Sequence, residues 1–440
     1  MRILVVGGGA REHALCRRLA NDPGVDDVLC APGNAGIGQE FRTVTVDPSD
    51  PAAVLSLSET EAVDLTVIGP EVPLARGIAD FFSARGRRIF GPRRLAAQLE
   101  TSKAFAKDFM RRHRIPTARF EICSDANEAL AIVRGGDLGQ APVVKADGLA
   151  AGKGVAVAST AAEAEAAIQA AMVERSFGDA GARIVLEERL EGPEVSFFVL
   201  ADGEHAVPLV TAQDHKRIFE DDAGPNTGGM GAFAPSPLVD SATENRILTT
   251  IVSPVLRGLI AEGMPYRGVL YCGLMLTADG PKVIEFNVRF GDPEAQVLLP
   301  MIAEPLTPIL WAAASGVMRS ARIKLRPEPH VGVVLAAAGY PGDVRTGDRI
   351  EGLDRVAREF PDVEVLHAGV KSDGKHLVTA GGRVLTVVAR GATFAAAIER
   401  AYQAVALIHF NGMQYRRDIG KKALATVVHA PRSPVHEANH

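Results

Sequence analysis

Short apolar runs alternate with amphipathic segments over the first hundred residues. The runs predict buried strands at residues 3–6, 27–30, 43–46, 63–68 and 88–90. Between several of these runs, apolar positions recur every three or four residues, which predicts helices at residues 12–19, 52–58 and 74–84. Because strands that alternate with helices form parallel sheets, residues 1–100 are predicted to be a doubly wound α/β domain.

Beyond residue 100 the pattern is typical of an α+β structure. Helices are predicted at residues 101–113 and 161–175, and antiparallel strands joined by short turns at 184–187, 195–200 and 206–210. A long polar loop is expected at 211–237, followed by a strand pair at 268–276 and 281–290. We therefore expect a second domain at 101–326 with a subdomain at about 120–192, a smaller C-terminal α+β domain at 327–425, and a disordered tail at 430–440.

The second strand of this pair separates its side chains by chemistry. With a period of two, Ile284, Phe286, Val288 and Phe290 share one face, and Glu285, Asn287 and Arg289 share the other. A carboxylate and an amide oxygen suit a hard Mg²⁺ ion, and the neighbouring guanidinium suits an anion beside that metal. The pattern favours a phosphoryl-transfer site, and an exposed charged strand is the alternative.

Glycine-rich segments offer candidate phosphate loops. Residues 148–154 carry Gly148, Gly152, Lys153 and Gly154 between two predicted strands, with Lys145 just before them. A Walker loop needs four residues between its first glycine and its Gly-Lys pair, and a helix after the loop. This segment has only three residues there, and a strand follows it. A hairpin tip that folds over phosphates is favoured, and a plain hairpin is the alternative.

The first strand-to-helix turn is a second candidate. Gly8, Gly9 and Arg11 lie where backbone amides and the helix dipole attract an anion, and Asn34 lies in the facing loop. The turn lacks the last glycine of the dinucleotide motif, and no acidic residue follows the second strand, so NAD binding is not expected. A sugar-phosphate site and a purely structural turn both remain open.

Two further segments differ in the chemistry that they offer. Residues 213–231 mix charged residues with glycine in a loop long enough to line a site, although a solvated loop is the alternative. Residues 337–343 have turn composition, and no catalytic role is predicted for them.

Composition excludes several classes of function. The 440-residue chain has a formal net charge of -5, which does not indicate nucleic-acid or membrane binding, and no apolar run approaches membrane length. Its four cysteines lie far apart without zinc-ligand spacing, so we expect a cytoplasmic protein with unpaired thiols and Cys272 in the core.

Together these segments resemble the ATP-grasp superfamily and, within it, the glycinamide ribonucleotide synthetases. The resemblance runs nearly end to end, through GGAREHA (8–14), APGNAG (31–36), GPEVPL (69–74), KADGLAAGKG (145–154), QDHKR (213–217), GPNTGGMG (224–231) and RFGDPE (289–294). Thr101 stands where the family often has glycine, and residues 218–223 follow no recognised pattern.

The resemblance implies an ATP-grasp fold with a mobile lid at residues 148–154. It implies that ATP and glycine form glycyl phosphate, which the amine of 5-phosphoribosylamine attacks to give glycinamide ribonucleotide, ADP and phosphate in purine biosynthesis. The implied protein is a monomer or weak dimer that acts on these small molecules with Mg²⁺ or Mn²⁺, without nucleic-acid or membrane partners.

The resemblance also implies roles for individual residues, position by position. For ATP they are Lys103, Lys145, Gly148, Gly152, Lys153 and Gly154 at the phosphates, Glu187, Glu188 and Leu190 in the hinge at adenine, and Glu194 at the ribose. Glu285 and Asn287 would hold the metal, while Arg289, Asp292 and Lys216 are the catalytic candidates. The substrate-binding candidates are Gly8, Gly9, Arg11, Asn34, Glu71, Asp214, His215, Arg217, Asn226, Thr227, Gly228 and Gly229.

Other classes of function compete with this interpretation. A biotin-dependent carboxylase or another ATP-grasp ligase would share the ATP elements but not the segment at residues 213–231. An NAD-dependent oxidoreductase would share only the N-terminal pattern. A nucleotide-binding scaffold without activity would not need Glu285, Asn287 and Arg289 together.

Overall fold

The computed structural model describes residues 1–149, 154–319 and 322–428, with side chains as far as residue 425. The predicted tail at 430–440 lies outside these residues. Within them, every helix is too short or too polar to cross a membrane.

A five-stranded parallel sheet forms the N-terminal part of the molecule, in the order β3-β2-β1-β4-β5. Its strands are β1 (Arg2–Gly7), β2 (Asp27–Pro32), β3 (Arg42–Thr43), β4 (Leu65–Ile68) and β5 (Ile89–Phe90). Its helices are α1 (Ala10–Ala20), α2 (Pro51–Thr60), α3 (Glu71–Ala75) and α4 (Ile78–Ala84). The predicted parallel sheet is therefore confirmed.

Helix boundaries differ from the predicted ones where a single residue interrupts the backbone. Gly77, with φ of 82°, separates α3 from α4, so the helix predicted at 74–84 is two helices. The helix predicted at 101–113 begins at Lys103, because Thr101 is the last residue of another helix, α5 (Arg94–Thr101), and the extended Ser102 separates it from α6 (Lys103–Arg112). Ser102 caps α6 by accepting a hydrogen bond from the Phe105 amide at 3.1 Å.

A four-stranded sheet of order β6-β9-β7-β8 follows. It contains β6 (Phe120–Cys123), β7 (Val143–Ala146), β8 (Val155–Val157) and β9 (Ile184–Glu187), with α7 (Ala126–Gly135) and α8 (Ala161–Ile168). Strands β7 and β8 form the predicted antiparallel hairpin. The prediction for β9 was wrong in its partner: β9 pairs with β6 and β7 and not with the strand that follows it.

The next segment supplies strands to the central sheet and to the C-terminal sheet, and two of its strands form a two-stranded sheet of their own. The strands are β10 (Glu194–Asp202), β11 (Ala206–Pro208), β12 (Gln213–Asp214), β13 (Arg217–Phe219), β14 (Ala223–Asn226), β15 (Gly231–Ala234), β16 (Arg267–Thr277) and β17 (Gly280–Asn287). The helices are α9 (Ser241–Ile247), α10 (Ser253–Ala261), α11 (Glu294–Leu298) and α12 (Thr307–Ser315). The order β11-β10-β16-β17 gives a central antiparallel sheet, as predicted for these hairpins. Strands β13 and β14 form the two-stranded sheet.

The last elements of the chain complete the C-terminal sheet. They are β18 (His330–Ala336), α13 (Leu353–Glu359), β19 (Glu364–His367), β20 (Val370–Ser372), β21 (Leu377–Thr379), β22 (Arg383–Arg390), α14 (Phe394–Val405) and α15 (Lys421–Val428). The sheet has the order β12-β15-β18-β22-β19. The polar loop predicted at 211–237 was therefore wrong, because this segment contains four strands and two of them pair into the C-terminal sheet.

The N-terminal and central sheets share their cores. In β1, Ile3 and Val5 face one cluster and Leu4 and Val6 face another, as alternation requires. The first cluster also contains residues of α11 and α12, and the second contains the inner face of the central sheet, with Cys272 fully buried as predicted. The proposed domain boundaries remain predictions, since packing and strand pairing both cross them.

Candidate active site

A cavity of about 490 Å³ lies where the N-terminal sheet, the β7–β8 hairpin, β17 and the C-terminal sheet meet. Fifteen of the predicted site residues line it: Arg11, Glu71, Lys103, Lys145, Gly148, Gly154, Glu187, Asp214, Lys216, Thr227, Gly228, Glu285, Asn287, Arg289 and Asp292. A concave site with several convergent charged groups is the expected form of a small-molecule site. The assignments of individual roles stay predictions.

Other predicted residues lie beside the cavity and do not line it. These are Gly8, Gly9, Asn34, Glu188, Leu190, Glu194, His215, Arg217, Asn226 and Gly229. Gly152 and Lys153 lie outside the described residues, so the lid prediction rests there only on Gly148 and Gly154.

One end of the cavity is rich in lysine. The buried carboxylate of Glu187, at the end of β9, lies 2.7 Å from Lys107 Nζ and 2.8 Å from Lys145 Nζ. Lys103, at the start of α6, donates a hydrogen bond to the Gly148 carbonyl at 3.0 Å, and burial lowers its pKa. Ammonium groups converging on one space suit the oxygens of a polyphosphate.

Lys107 was missed by the sequence interpretation, although it lines the same end. Burial lowers its pKa to about 8 against the opposing effect of Glu187. Its position one helical turn after Lys103 was the available signal, since residues four apart share a helix face. The adjoining wall is apolar, formed by Leu99, Met110 and Phe286.

Strand β17 forms the middle wall, with a bulge that changes the predicted alternation. Gly273 pairs with Glu285, but Leu274 pairs with Val283, so Ile284 is the extra residue. Val283 consequently enters the core and Ile284 lines the cavity. The strand ends at Asn287, not at residue 290 as predicted, so Arg289 reaches the cavity from the segment after it.

The donor set on this wall fits a hard divalent cation. Burial alone would raise the pKa of Glu285, but Lys216, Lys145 and Lys103 outweigh burial and lower it, so the carboxylate is ionised. The Asn287 amide oxygen follows it one pleat later and accepts a hydrogen bond from Arg289 Nη2 at 3.2 Å. An ionised carboxylate and an amide oxygen are donors that Mg²⁺ and Mn²⁺ accept.

Arg289 is held by two carboxylates from the N-terminal half. Its Nε lies 3.3 Å from Glu71 Oε2, and its Nη2 lies 2.9 Å from Glu100 Oε1. Glu100 also accepts the Val288 amide at 2.7 Å, and burial raises the pKa of Glu100. Burial would lower the pKa of Arg289, but the two carboxylates raise it, so the guanidinium is a fixed positive charge.

The C-terminal sheet contributes two residues that the sequence interpretation missed. Arg383, at the start of β22, lies with Nη2 3.0 Å from Asp292 Oδ2, and its Nη1 donates to the Gly228 carbonyl at 2.5 Å. The Tyr340 hydroxyl accepts a hydrogen bond from the Gly228 amide at 2.9 Å. Residues 337–343, for which no catalytic role was predicted, therefore contribute Tyr340 to the lining of the cavity. No sequence signal connects these positions.

The remaining wall carries Asp214, Lys216 and the buried Glu294. Lys216 Nζ lies 2.8 Å from Glu194 Oε2 at the edge of the site. Burial would lower the pKa of Lys216, but Asp214, Glu194 and Glu285 raise it well above its usual value. Glu294 Oε1 accepts hydrogen bonds from Tyr271 Oη at 2.8 Å and from the Ser196 hydroxyl at 3.2 Å.

At the first strand-to-helix turn, Glu12 occupies the helix N-terminus. Its Oε2 accepts the Gly9 amide at 2.6 Å, and its Oε1 accepts Arg11 Nε at 2.6 Å. A side chain at Gly69 would clash with this carboxylate, since a Cβ there would lie 1.9 Å from Oε1. Gly7 and Gly9 of this turn, and Gly69 after β4, therefore surround a buried side chain of the protein itself.

Two predicted substrate contacts have side chains that are engaged elsewhere. The Asn34 amide donates to the carbonyls of Gly8 and His367, both at 2.9 Å, and joins the N-terminal sheet to the C-terminal part. His215 packs against Phe233 with ring centroids 6.0 Å apart, and burial lowers its pKa to about 4.

The segment at residues 218–223, which matched no pattern, is anchored to the C-terminal part of the chain. The buried Arg416 donates to Asp222 Oδ1 at 2.9 Å and to the Arg217 carbonyl at 3.1 Å. Asp418 Oδ2 accepts the Asp221 amide at 3.0 Å. These contacts fix the β13–β14 hairpin, and the turn that lines the cavity follows it directly.

Comparisons with known proteins cover the whole arrangement. Family models described as phosphoribosylglycinamide synthetase match this chain with the N domain at residues 1–100, the ATP-grasp (A) domain at 101–295 and the C domain at 330–422. The phosphoribosylamine–glycine ligase of Vibrio cholerae is 48% identical over 428 residues, covering 97% of this chain and 99% of that protein. The ligase of the same name from Escherichia coli O6:H1 is 49% identical, covering 96% and 99%.

Solved structures agree with this relationship. The crystal structure of phosphoribosylamine–glycine ligase from Thermotoga maritima has a TM-score of 0.83 and 32% identity, covering 95% of this chain and all of that one. A biotin carboxylase from Campylobacter jejuni, at a TM-score of 0.71 but 15% identity over 98% of this chain and 95% of that one, shares the fold alone. The chain belongs to the phosphoribosylglycinamide synthetase family of ATP-grasp proteins.

Proposed function

We propose that this protein joins glycine to 5-phosphoribosylamine at the expense of ATP, giving glycinamide ribonucleotide, ADP and phosphate. One observation carries the proposal. An ionised carboxylate, Glu285, shares a single cavity with Lys103, Lys145, Lys216 and the fixed guanidinium of Arg289. Membership of the family supports the same reaction.

ATP fits the lysine-rich end of the cavity. The apolar wall of Leu99, Met110 and Phe286 suits the adenine ring, while Lys103 and Lys145 meet the phosphates. Glu285 and Asn287 would hold Mg²⁺ or Mn²⁺, which neutralises phosphate charge when bound. A glycine carboxylate needs no base to attack the terminal phosphorus, so this chain contributes position and positive charge to the first step.

The second step places 5-phosphoribosylamine on the opposite side of the cavity. Asp292 and Arg383 border that side, together with the turn at Thr227 and Gly228. Arg289 faces the position where negative charge develops as the amine attacks glycyl phosphate.

The proposal is tested by measuring ADP release with each substrate omitted in turn. We expect release to require both glycine and phosphoribosylamine, and the ribonucleotide amide to form in equal amount to ADP. Bicarbonate in place of glycine serves as the comparison for a carboxylase. ADP release that depends on bicarbonate and not on glycine would contradict the proposal.

A further inference from the structure

The carboxylates that line the cavity differ in whether they have partners. Glu71 and Glu100 pair with Arg289, Glu187 pairs with Lys107 and Lys145, Asp292 pairs with Arg383, and Glu294 accepts from Tyr271. Glu285 faces three lysines and is the metal candidate. Asp214 resembles Glu285 and differs from the others: across residues 1–149, 154–319 and 322–425, its carboxylate has neither a hydrogen bond nor an ion pair within 4.0 Å, and it has no part in the proposed metal site.

The backbone holds Asp214 in place. It is the second residue of β12 and pairs with Ala232 of β15, so the C-terminal sheet fixes its Cα. Several charged or titratable groups face it from neighbouring elements: Lys216 from the adjoining segment, Glu194 from β10, Tyr271 from β16, Glu285 from β17 and Glu294 from α11. It is therefore a carboxylate presented to the cavity on a rigid element, with its oxygens available to a ligand.

The second step of the proposed function has a requirement that the first step lacks. An amine that attacks a carbonyl carbon becomes positively charged at nitrogen, and a stable amide forms only when that nitrogen loses a proton. The basic groups of the cavity are already engaged: Lys103 donates to the Gly148 carbonyl, and the other lysines and the arginines form ion pairs with Glu187, Glu194, Glu71, Asp292 or Glu12.

We propose that Asp214 accepts the proton from the amine of phosphoribosylamine as the amide bond forms. The bond from nitrogen to the glycyl carbonyl carbon forms, and the bond from that carbon to the phosphate oxygen breaks. Phosphate leaves with the electron pair, one proton moves from nitrogen to the Asp214 carboxylate, and that proton passes to water when the products leave. This step rests on the proposed function.

Electrostatics are consistent with this role. Burial raises the pKa of Asp214 to about 7, with Lys216 lowering it and Glu294, Glu194 and Glu285 raising it further. A base works best when its pKa lies near the working pH, because it is then both ionised and able to bind the proton.

The test uses two nucleophiles with the full-length protein. Hydroxylamine traps glycyl phosphate as the hydroxamate without needing a positioned base, whereas ligation of phosphoribosylamine needs one. For Asp214→Asn we expect the kcat of ligation to fall by about 100-fold or more, and hydroxamate formation to stay within about threefold of wild type. Asp214→Glu should recover part of the ligation rate because it keeps the carboxylate.

The controls separate the possible failures. Asp279→Asn removes a charge from an exposed turn and should leave both products unchanged. Equal loss of both products in Asp214→Asn and Asp214→Glu would overturn the role, as would a raised KM for phosphoribosylamine with unchanged kcat. If wild-type protein forms hydroxamate but never ligates phosphoribosylamine, the proposed function fails instead.

Discussion

Two glycine-rich turns border the cavity, and they are held in opposite ways. The turn before α1 is held by a residue next to it in the chain, because the Gly9 amide and the Arg11 guanidinium both bind the carboxylate of Glu12. The turn at Thr227 and Gly228 is held by residues distant in the chain: Gly228 forms hydrogen bonds with Tyr340 and Arg383, which lie 112 and 155 residues further along.

This difference indicates where the phosphate of phosphoribosylamine binds. The sequence left a sugar-phosphate site open at the first turn and indicated only a loop that could line a site at the second. In the first turn, however, the helix N-terminus already holds a carboxylate, which uses the amide and opposes a second anion. In the second turn no carboxylate holds the backbone: the Gly228 amide donates to the neutral Tyr340 hydroxyl, and the guanidinium of Arg383 is shared between the Gly228 carbonyl and Asp292. We therefore expect the phosphate at the second turn and a structural role for the first.

The largest effect is expected from Glu285, the proposed metal ligand in the same cavity. Glu285→Ala should remove several kcal/mol of transition-state stabilisation and so lower turnover about 1000-fold. The melting temperature should stay close to that of wild type. Lys282→Ala, on the same strand outside the cavity, is the matched control. Activity of Glu285→Ala within a few-fold of wild type at saturating Mg²⁺ would exclude this role.

Arg383→Ala tests the second turn. Loss of charged hydrogen bonds to Gly228 and Asp292 should weaken phosphoribosylamine binding by about 2–3 kcal/mol, seen as a KM increase of roughly 30- to 150-fold. The KM for ATP should change by less than about threefold, because the lysine-rich end is untouched. The KM of Arg383→Lys for phosphoribosylamine should lie between those of wild type and Arg383→Ala. Equal increases in both KM values would mean that the whole cavity has been disturbed.

Glu12→Gln tests the first turn by stability. The substitution keeps the size of the buried side chain but removes the charge that Gly9 and Arg11 bind, so the free energy of unfolding should fall by about 1–3 kcal/mol. At a temperature where the variant is folded, the KM for phosphoribosylamine should be nearly unchanged. A large KM increase in a stably folded variant would place the phosphate at the first turn.

The smallest effect concerns the contact between the first turn and the C-terminal part of the chain. His13 Nδ1 accepts the His367 backbone amide at 3.0 Å, and burial lowers the pKa of His13 and lowers that of His367 to about 3. Since the folded pKa lies below the unfolded value of about 6.5, the stabilisation is present above pH 6.5 and is lost as the pH falls below it.

At pH 5.5 this loss should be about 1 kcal/mol for His367 alone. Denaturant unfolding at pH 7.5 and 5.5 measures it, and His367→Gln should reduce the difference between the two values. The same pH dependence of stability in the variant and in wild type would show that this contact does not cause it.

Some parts of the fold and of the site could be predicted from the sequence, and others could not. The parallel N-terminal sheet and the central hairpins follow from local periodicity, and the cavity wall at Glu285, Asn287 and Arg289 lies within five residues. The bulge at Ile284 was not predictable, because it depends on pairing with β16. The pairing of β12 with β15 and of β15 with β18 was not predictable either, because strands of two and four residues are too short to show a periodic signal.

Two of the missed site residues, Tyr340 and Arg383, were also not predictable, because their place in the site depends on tertiary packing. Tyr340 and Arg383 reach the cavity only because the C-terminal sheet packs against the Gly228 turn, and nothing near them in the chain indicates a ligand. Lys107 is the exception, since its spacing from Lys103 was visible. Residue type and local spacing therefore predict what one segment supplies, while the partners of each turn depend on tertiary packing.

The central claim is that this cavity activates the carboxylate of glycine by phosphorylation and passes it to the amine of phosphoribosylamine. It is tested most directly with glycine labelled with ¹⁸O in the carboxylate, followed by mass analysis of the phosphate released. We expect one labelled oxygen in each phosphate and one retained in the ribonucleotide amide. Phosphate without label, formed together with the amide, would contradict the account.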